Sequence, residues 1–95
     1  MKYSIGEIVI LLSDKNIMNR YIVIATEKQV LDQNYLKSLS GKLNIKNIEK
    51  LAEKQVNITE GFKYKICKCA ENYSEGFCVL EGNFIDVIDD NDLGR

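Results

Sequence analysis

The sequence predicts a small α+β domain built on an antiparallel β-sheet, in the order β-β-α-α-β-β-β. Three observations carry that expectation. Short β-branched and apolar runs occupy residues 5–12 and 21–25, and again 62–70, 77–80 and 84–88. Between the two groups, over residues 33–56, the apolar period lengthens to three or four residues. Glycine marks the joints, because the chain has no proline.

Residues 1–27 read as a β-hairpin, its strands joined by the polar Ser13, Asp14, Lys15 and Asn16, with Ile17, Met18 and Asn19 unplaced before the second strand. Beyond Glu27, Leu36, Leu39 and Leu43 recur at i, i+3 and i+7. Gly41 interrupts them, so a first helix is expected over 33–40, ending where glycine usually follows a helix. A second helix is expected over 45–56, with Asn44 as N-cap and Leu43 and Ile48 at the spacing of a hydrophobic staple. Ile45, Ile48, Leu51, Ala52 and Val56 would then share one apolar face, and 33–56 would be a helical insertion. Gly61 ends it. In 62–70 Phe62, Tyr64 and Ile66 alternate against Lys63, Lys65 and Cys67, and the turn residues 71–76 lead into 77–80. Gly82 and Asn83 break the chain before 84–88, so 62–88 reads as three short strands and 89–95 as a fraying acidic tail.

The segments Gly6-Glu7-Ile8-Val9-Ile10, Tyr21-Ile22-Val23-Ile24 and Phe77-Cys78-Val79-Leu80-Glu81 resemble the strands of small SH3-like barrels. That resemblance implies a partly open barrel carrying the helical pair as an insertion. The other architecture the pattern allows is an open antiparallel sheet with the helices on one face. In either case 95 residues make one domain with a thin core.

Charge is sorted along the chain. Residues 28–68 carry nine lysines against four carboxylates, and residues 69–95 carry seven carboxylates against Arg95, although the whole chain is at −1. Segregation of this kind predicts a bipolar surface that steers partners through its local field. Eleven lysines against two arginines, twelve isoleucines and nine asparagines fit an AT-rich genome, as in a low-GC bacterium, or a phage or mobile element living in one. The longest aliphatic run, residues 8–12, is too short to span a bilayer, and Lys2 followed by Glu7 fits neither a signal peptide nor an anchor. The expected location is the cytoplasm, with no membrane partner.

The chain has no histidine, which removes the side chain that titrates near neutrality, the Ser-His and Cys-His nucleophile pairs and the commonest metal ligand. No phosphate loop or paired carboxylate stands on a credible scaffold, so no catalytic residue and no cofactor are expected. Cys67, Cys69 and Cys78 are the sharpest local cluster. If paired residues of the hairpin sum to 147, Cys69 faces Cys78 and Cys67 shares their side. The leading expectation is three half-buried packing residues. A zinc site would need Glu71 or Glu81 as a fourth ligand, and a Cys69–Cys78 disulfide would run against the reducing cytosol.

Lys42, Lys46, Lys50 and Lys54 recur every four residues and form a stripe that phosphates could meet, yet arginine, which reads bases bidentately, is almost absent. Asp86, Asp89, Asp90 and Asp92 form an acidic end without the glycine and terminal glutamate of an EF-hand, so a docking patch or a solubilising tail is expected there. These two groups are the candidate partner-binding residues. The functional expectation is a non-enzymatic inhibitor or regulator that binds a protein partner, with self-association allowed. A nucleic-acid-binding module using the lysines of residues 37–68 is the alternative, and a cysteine-based metal or redox sensor is a third.

Overall fold

Arg20–Thr26 reads Arg-Tyr-Ile-Val-Ile-Ala-Thr, apolar at every interior position, and such a strand is stable only with both faces covered. A computed structural model of the chain, which describes residues 2–43, 45, 47–48, 61–70 and 78–95, places this segment at the centre of the fold. The strands are β1 (Ile8–Leu11), β2 (Arg20–Thr26), β3 (Tyr64–Cys69), β4 (Leu80–Val87) and β5 (Leu93–Gly94); the α-helix whose span is described is α1 (Gln33–Lys42), and Ile48 is also helical. They form an α+β domain with one antiparallel five-stranded sheet in the order β4-β3-β2-β1-β5.

The alternation of β2 divides the core between the two faces of the sheet. Ile22 and Ile24 lie on the side of α1 with Leu36, Leu39, Ile45, Ile48, Cys67, Cys69, Cys78 and Leu80. Tyr21 and Val23 point the other way, into Tyr3, Val9, Tyr64, Ile66, Val87 and Leu93. Fully burying a side chain such as Leu36 contributes about 1.5–3 kcal/mol, so the two leucines of α1 hold the helix to the sheet. Asp32 caps α1 by accepting a hydrogen bond from the Tyr35 amide at 2.8 Å.

Several expected boundaries move. The barrel is not closed: β4 and β5 stand at opposite ends of the strand order, as in the open-sheet alternative. The first strand begins at Ile8, because Gly6 at φ +91° and the Glu7 N–H to Ser4 C=O bond make a turn of the residues before it. Helix α1 runs through Gly41 to Lys42 and is closed by extended Leu43, whose N–H donates to the Leu39 carbonyl at 2.8 Å. Glycine weakens a helix there but does not end it, since the buried Leu39 still holds the last turn. Ile45, expected to open the second helix, instead pairs with Cys78 in an isolated parallel bridge. Most of that expected helix lies outside the described residues, as do Leu51, Ala52 and Val56.

The chain does not break at Gly82 and Asn83. Lys68 pairs with Glu81 and Ile66 with Ile85, so three residues of β4 stand opposite Cys67 alone, and a bulge containing Gly82 at φ +75° keeps 80–87 one strand. The hairpin sum is accordingly 149 near Cys69 and 151 beyond the bulge, not 147. The tail is ordered. Asp90–Asp92 form a 3₁₀ turn, Leu93 is buried, and β5 pairs with β1 through Leu11 with Leu93 and Ile10 with Gly94.

Candidate functional site

The β1–β2 connection, residues 12–19, is short of regular structure but not of bonds. Its centre is Asp14. The carboxylate accepts from the Asn16 amide at 3.0 Å, the Asn19 side-chain amide at 3.0 Å and the Tyr21 hydroxyl in a short hydrogen bond. Asn16 repeats the pattern one step on, accepting from the Met18 amide at 3.0 Å through its side chain and from the Asn19 amide at 3.1 Å through its carbonyl. Such side-chain turns are what Asp and Asn offer a backbone that has left a strand ladder. Arg20 donates to the Ile17 carbonyl at 2.8 Å, and the Leu12 N–H donates to the Asp92 carbonyl at 2.8 Å.

These bonds shift both titrating partners. The Tyr21 hydrogen bond, reinforced by Asn19 and Asn16, lowers the Asp14 carboxyl to about 2. Burial of the Tyr21 ring, together with the Asp14 carboxylate, pushes the phenol up to about 12. The pair is therefore an ionised acceptor and a neutral donor across the whole physiological range.

Beside the polar Ser13, Lys15 and Asn16, the braced loop exposes three large apolar side chains. Leu12 is 53% exposed, Ile17 66% and Met18 75%. All three stand on a loop whose backbone is already fixed by hydrogen bonds. A fixed loop has lost in advance much of the freedom that binding would otherwise remove. Sequence reasoning left Ile17 and Met18 unplaced. The signal that finds them is an Asp and an Asn two residues apart, immediately before two apolar residues that fit neither strand.

The expected charge sites lie elsewhere, and in part they neutralise one another. Lys63 pairs with Asp90 at 3.3 Å, Lys65 with Asp86 at 2.9 Å and Lys68 with Glu81 at 3.9 Å, so three lysines of the basic block meet three carboxylates of the acidic block. Lys65, its side chain only 5% exposed, also lies 4.8 Å from the Phe62 ring centroid. Burial raises the Asp90 carboxyl, but the Tyr64 hydroxyl and the Lys63 ammonium outweigh it and hold the group below its usual range. Asp89 caps the 3₁₀ turn through the Asn91 amide at 2.9 Å, and Asp92 is exposed. Lys42 is exposed in the last turn of α1, on a different element from the one expected to carry its stripe. Lys46, Lys50 and Lys54 lie outside the described residues.

The three cysteines are buried rather than half-buried, on one face of the sheet. Cys69 and Cys78 form a disulfide with Cα atoms 5.6 Å apart, and Cys67 is a free thiol, raised to about 12 by its burial. Among the described residues no three His, Cys, Asp or Glu side chains are grouped to hold a metal ion, and no helix is long and apolar enough to cross a membrane. No family model matches the chain, and neither a curated protein nor a solved structure is significantly similar to it.

Proposed function

We propose that the protein is a non-enzymatic binding domain that occupies a surface of another protein, with the β1–β2 loop as its contact element. The observation that supports this reading is the braced display of Leu12, Ile17 and Met18. A preorganised apolar tip flanked by Lys15 and Arg20 suits an apolar pocket with a polar rim, the usual anatomy of a protein interface. Inhibition or regulation of a cytoplasmic host protein by a phage or mobile-element product is the role that fits the small size and the lysine-rich, arginine-poor composition. The three ion pairs made by Lys63, Lys65 and Lys68 leave less of the lysine block free for phosphates, which favours a protein over a nucleic acid as partner.

Affinity capture from the native host with wild type, an Ile17→Asp/Met18→Asp variant and Lys42→Ala, each with and without nuclease, tests the proposal. A partner retained by wild type and Lys42→Ala, lost with the double variant and indifferent to nuclease is the expected result. A partner that survives the double variant, or that disappears with nuclease, overturns it.

A further inference from the structure

The start of β4 is held from both sides. On the inner side, the Ala70 N–H donates to the Val79 carbonyl at 2.8 Å, which makes 70/79 a hydrogen-bonded pair and leaves the next pair, Cys69 and Leu80, without ladder bonds between them. The N–H and C=O of Leu80 consequently point away from β3. On that outer side the Asn47 side chain meets both groups, accepting from the Leu80 N–H at 2.8 Å and donating to the Leu80 carbonyl at 2.9 Å. Two residues earlier, Ile45 bridges to Cys78. One side-chain amide and one bridge thus close a strand edge that would otherwise offer unpaired backbone.

Cys78 sits inside this closure and is tied to Cys69 at the end of β3. We propose that the Cys69–Cys78 disulfide is a redox-operated latch on the outer edge of β4. While it is closed, Cys78 is positioned for its bridge to Ile45 and Leu80 for the grip of Asn47. When a dithiol reductant opens it, both contacts loosen and the edge is uncovered.

The chemistry balances as thiol–disulfide exchange. A thiolate of the reductant attacks one sulfur, forms a mixed disulfide and expels the other sulfur as a thiolate, which takes up a proton. The second thiol of the reductant then attacks the mixed disulfide. Cys69 and Cys78 end as thiols and the reductant as a disulfide, with two electrons and two protons transferred. Cys67 does not compete. It is fully buried, and its thiol stays protonated. Both sulfurs of the bond belong to buried residues, so the reductant reaches it only when the chain at Cys78 lifts away from β3.

The test begins with a thiol count in denaturant without reductant. Air-oxidised protein should show one free thiol per chain, and protein treated with dithiothreitol under native conditions should show three. Amide hydrogen exchange is then followed by NMR in oxidised wild type, reduced wild type, Cys67→Ala and the Cys69→Ala/Cys78→Ala variant. The Leu80 amide should lose at least about tenfold protection in the reduced protein and the double variant, while Ile22 and Val23 at the sheet centre change little. Oxidised Cys67→Ala should match oxidised wild type. Three free thiols in the oxidised protein, a bond that survives dithiothreitol in the native state, or unchanged Leu80 protection on reduction would each overturn the latch. If the double variant does not fold, reduced wild type decides alone.

Discussion

The Tyr35 hydroxyl donates to the carbonyl of Ile24 at 2.6 Å, and Ile24 is the residue left without a partner where the β2–β3 register shifts between Val23 and Ala25. A bulge strands a backbone group inside the core, and the first turn of α1 supplies the missing donor. Tyr35→Phe keeps the ring and removes the donor, so it should cost about 1–3 kcal/mol in urea unfolding. Ser38→Ala, which deletes an exposed bond to the Tyr35 carbonyl, should cost far less. Equal losses would mean that the helix, not the bulge, needs the tyrosine.

Ile17→Asp/Met18→Asp should shift stability by no more than about 0.5 kcal/mol, because both side chains are already in water. A denaturant midpoint well below that of wild type would show that the tip packs on its own domain and is not free for a partner.

The loop should also respond to pH at both extremes. Asp14 is depressed from 3.8 to about 2, so its contribution is present above pH 4 and is lost as pH falls towards 2. Tyr21 is raised from 10.0 to about 12, so between those values the folded state holds a proton that the unfolded chain has released, and stability falls as pH rises. Methyl shifts of Ile17 and Met18 in the folded protein follow the folded-state values, so they should move as pH nears 2 and again as it nears 12, and stay flat between. Asp14→Asn should abolish the acid limb. An acid limb that persists in that variant would place the responsible carboxylate elsewhere.

Two glycines separate strain from crowding. Gly82→Ala meets no neighbour within 4 Å and should lose only what the left-handed backbone costs, about 1–2 kcal/mol. At Gly6 a Cβ would also stand 2.7 Å from a terminal methyl of Leu43, which packs against the core, so Gly6→Ala should cost more. Thermal unfolding of the two variants ranks them.

Local pattern made the α+β class, β2, the start of α1 and the buried pair Leu36 and Leu39 readable, because each is set by residues within a few positions of one another. Other features depend on distant partners. Gly82 and Asn83 read as a break because nothing nearby indicates that Lys68 and Ile66 will hold the strand on either side of a bulge. Leu93 reads as tail because its cover, Tyr3, is ninety residues away. The lysine and carboxylate blocks were legible as blocks, while their mutual neutralisation across β3 and β4 required the register. The place of the β1–β2 loop residues Ile17 and Met18 was not readable for a related reason: exposure, not hydrophobicity, distinguishes them from core residues.

The two ends of the described chain leave the fold side by side. The Arg95 side chain donates to Glu7 at 2.6 Å and to the Lys2 carbonyl at 3.1 Å, and the Tyr3 hydroxyl donates to the Leu93 carbonyl at 2.9 Å. A force applied between them would not shear the sheet along its strands. It would peel β5 from β1 one pair at a time, beginning at Arg95 and ending where the Leu12 N–H meets the Asp92 carbonyl. The domain should therefore yield to pulling at low force and recoil easily, a compliant joint in any chain into which it is spliced through these ends.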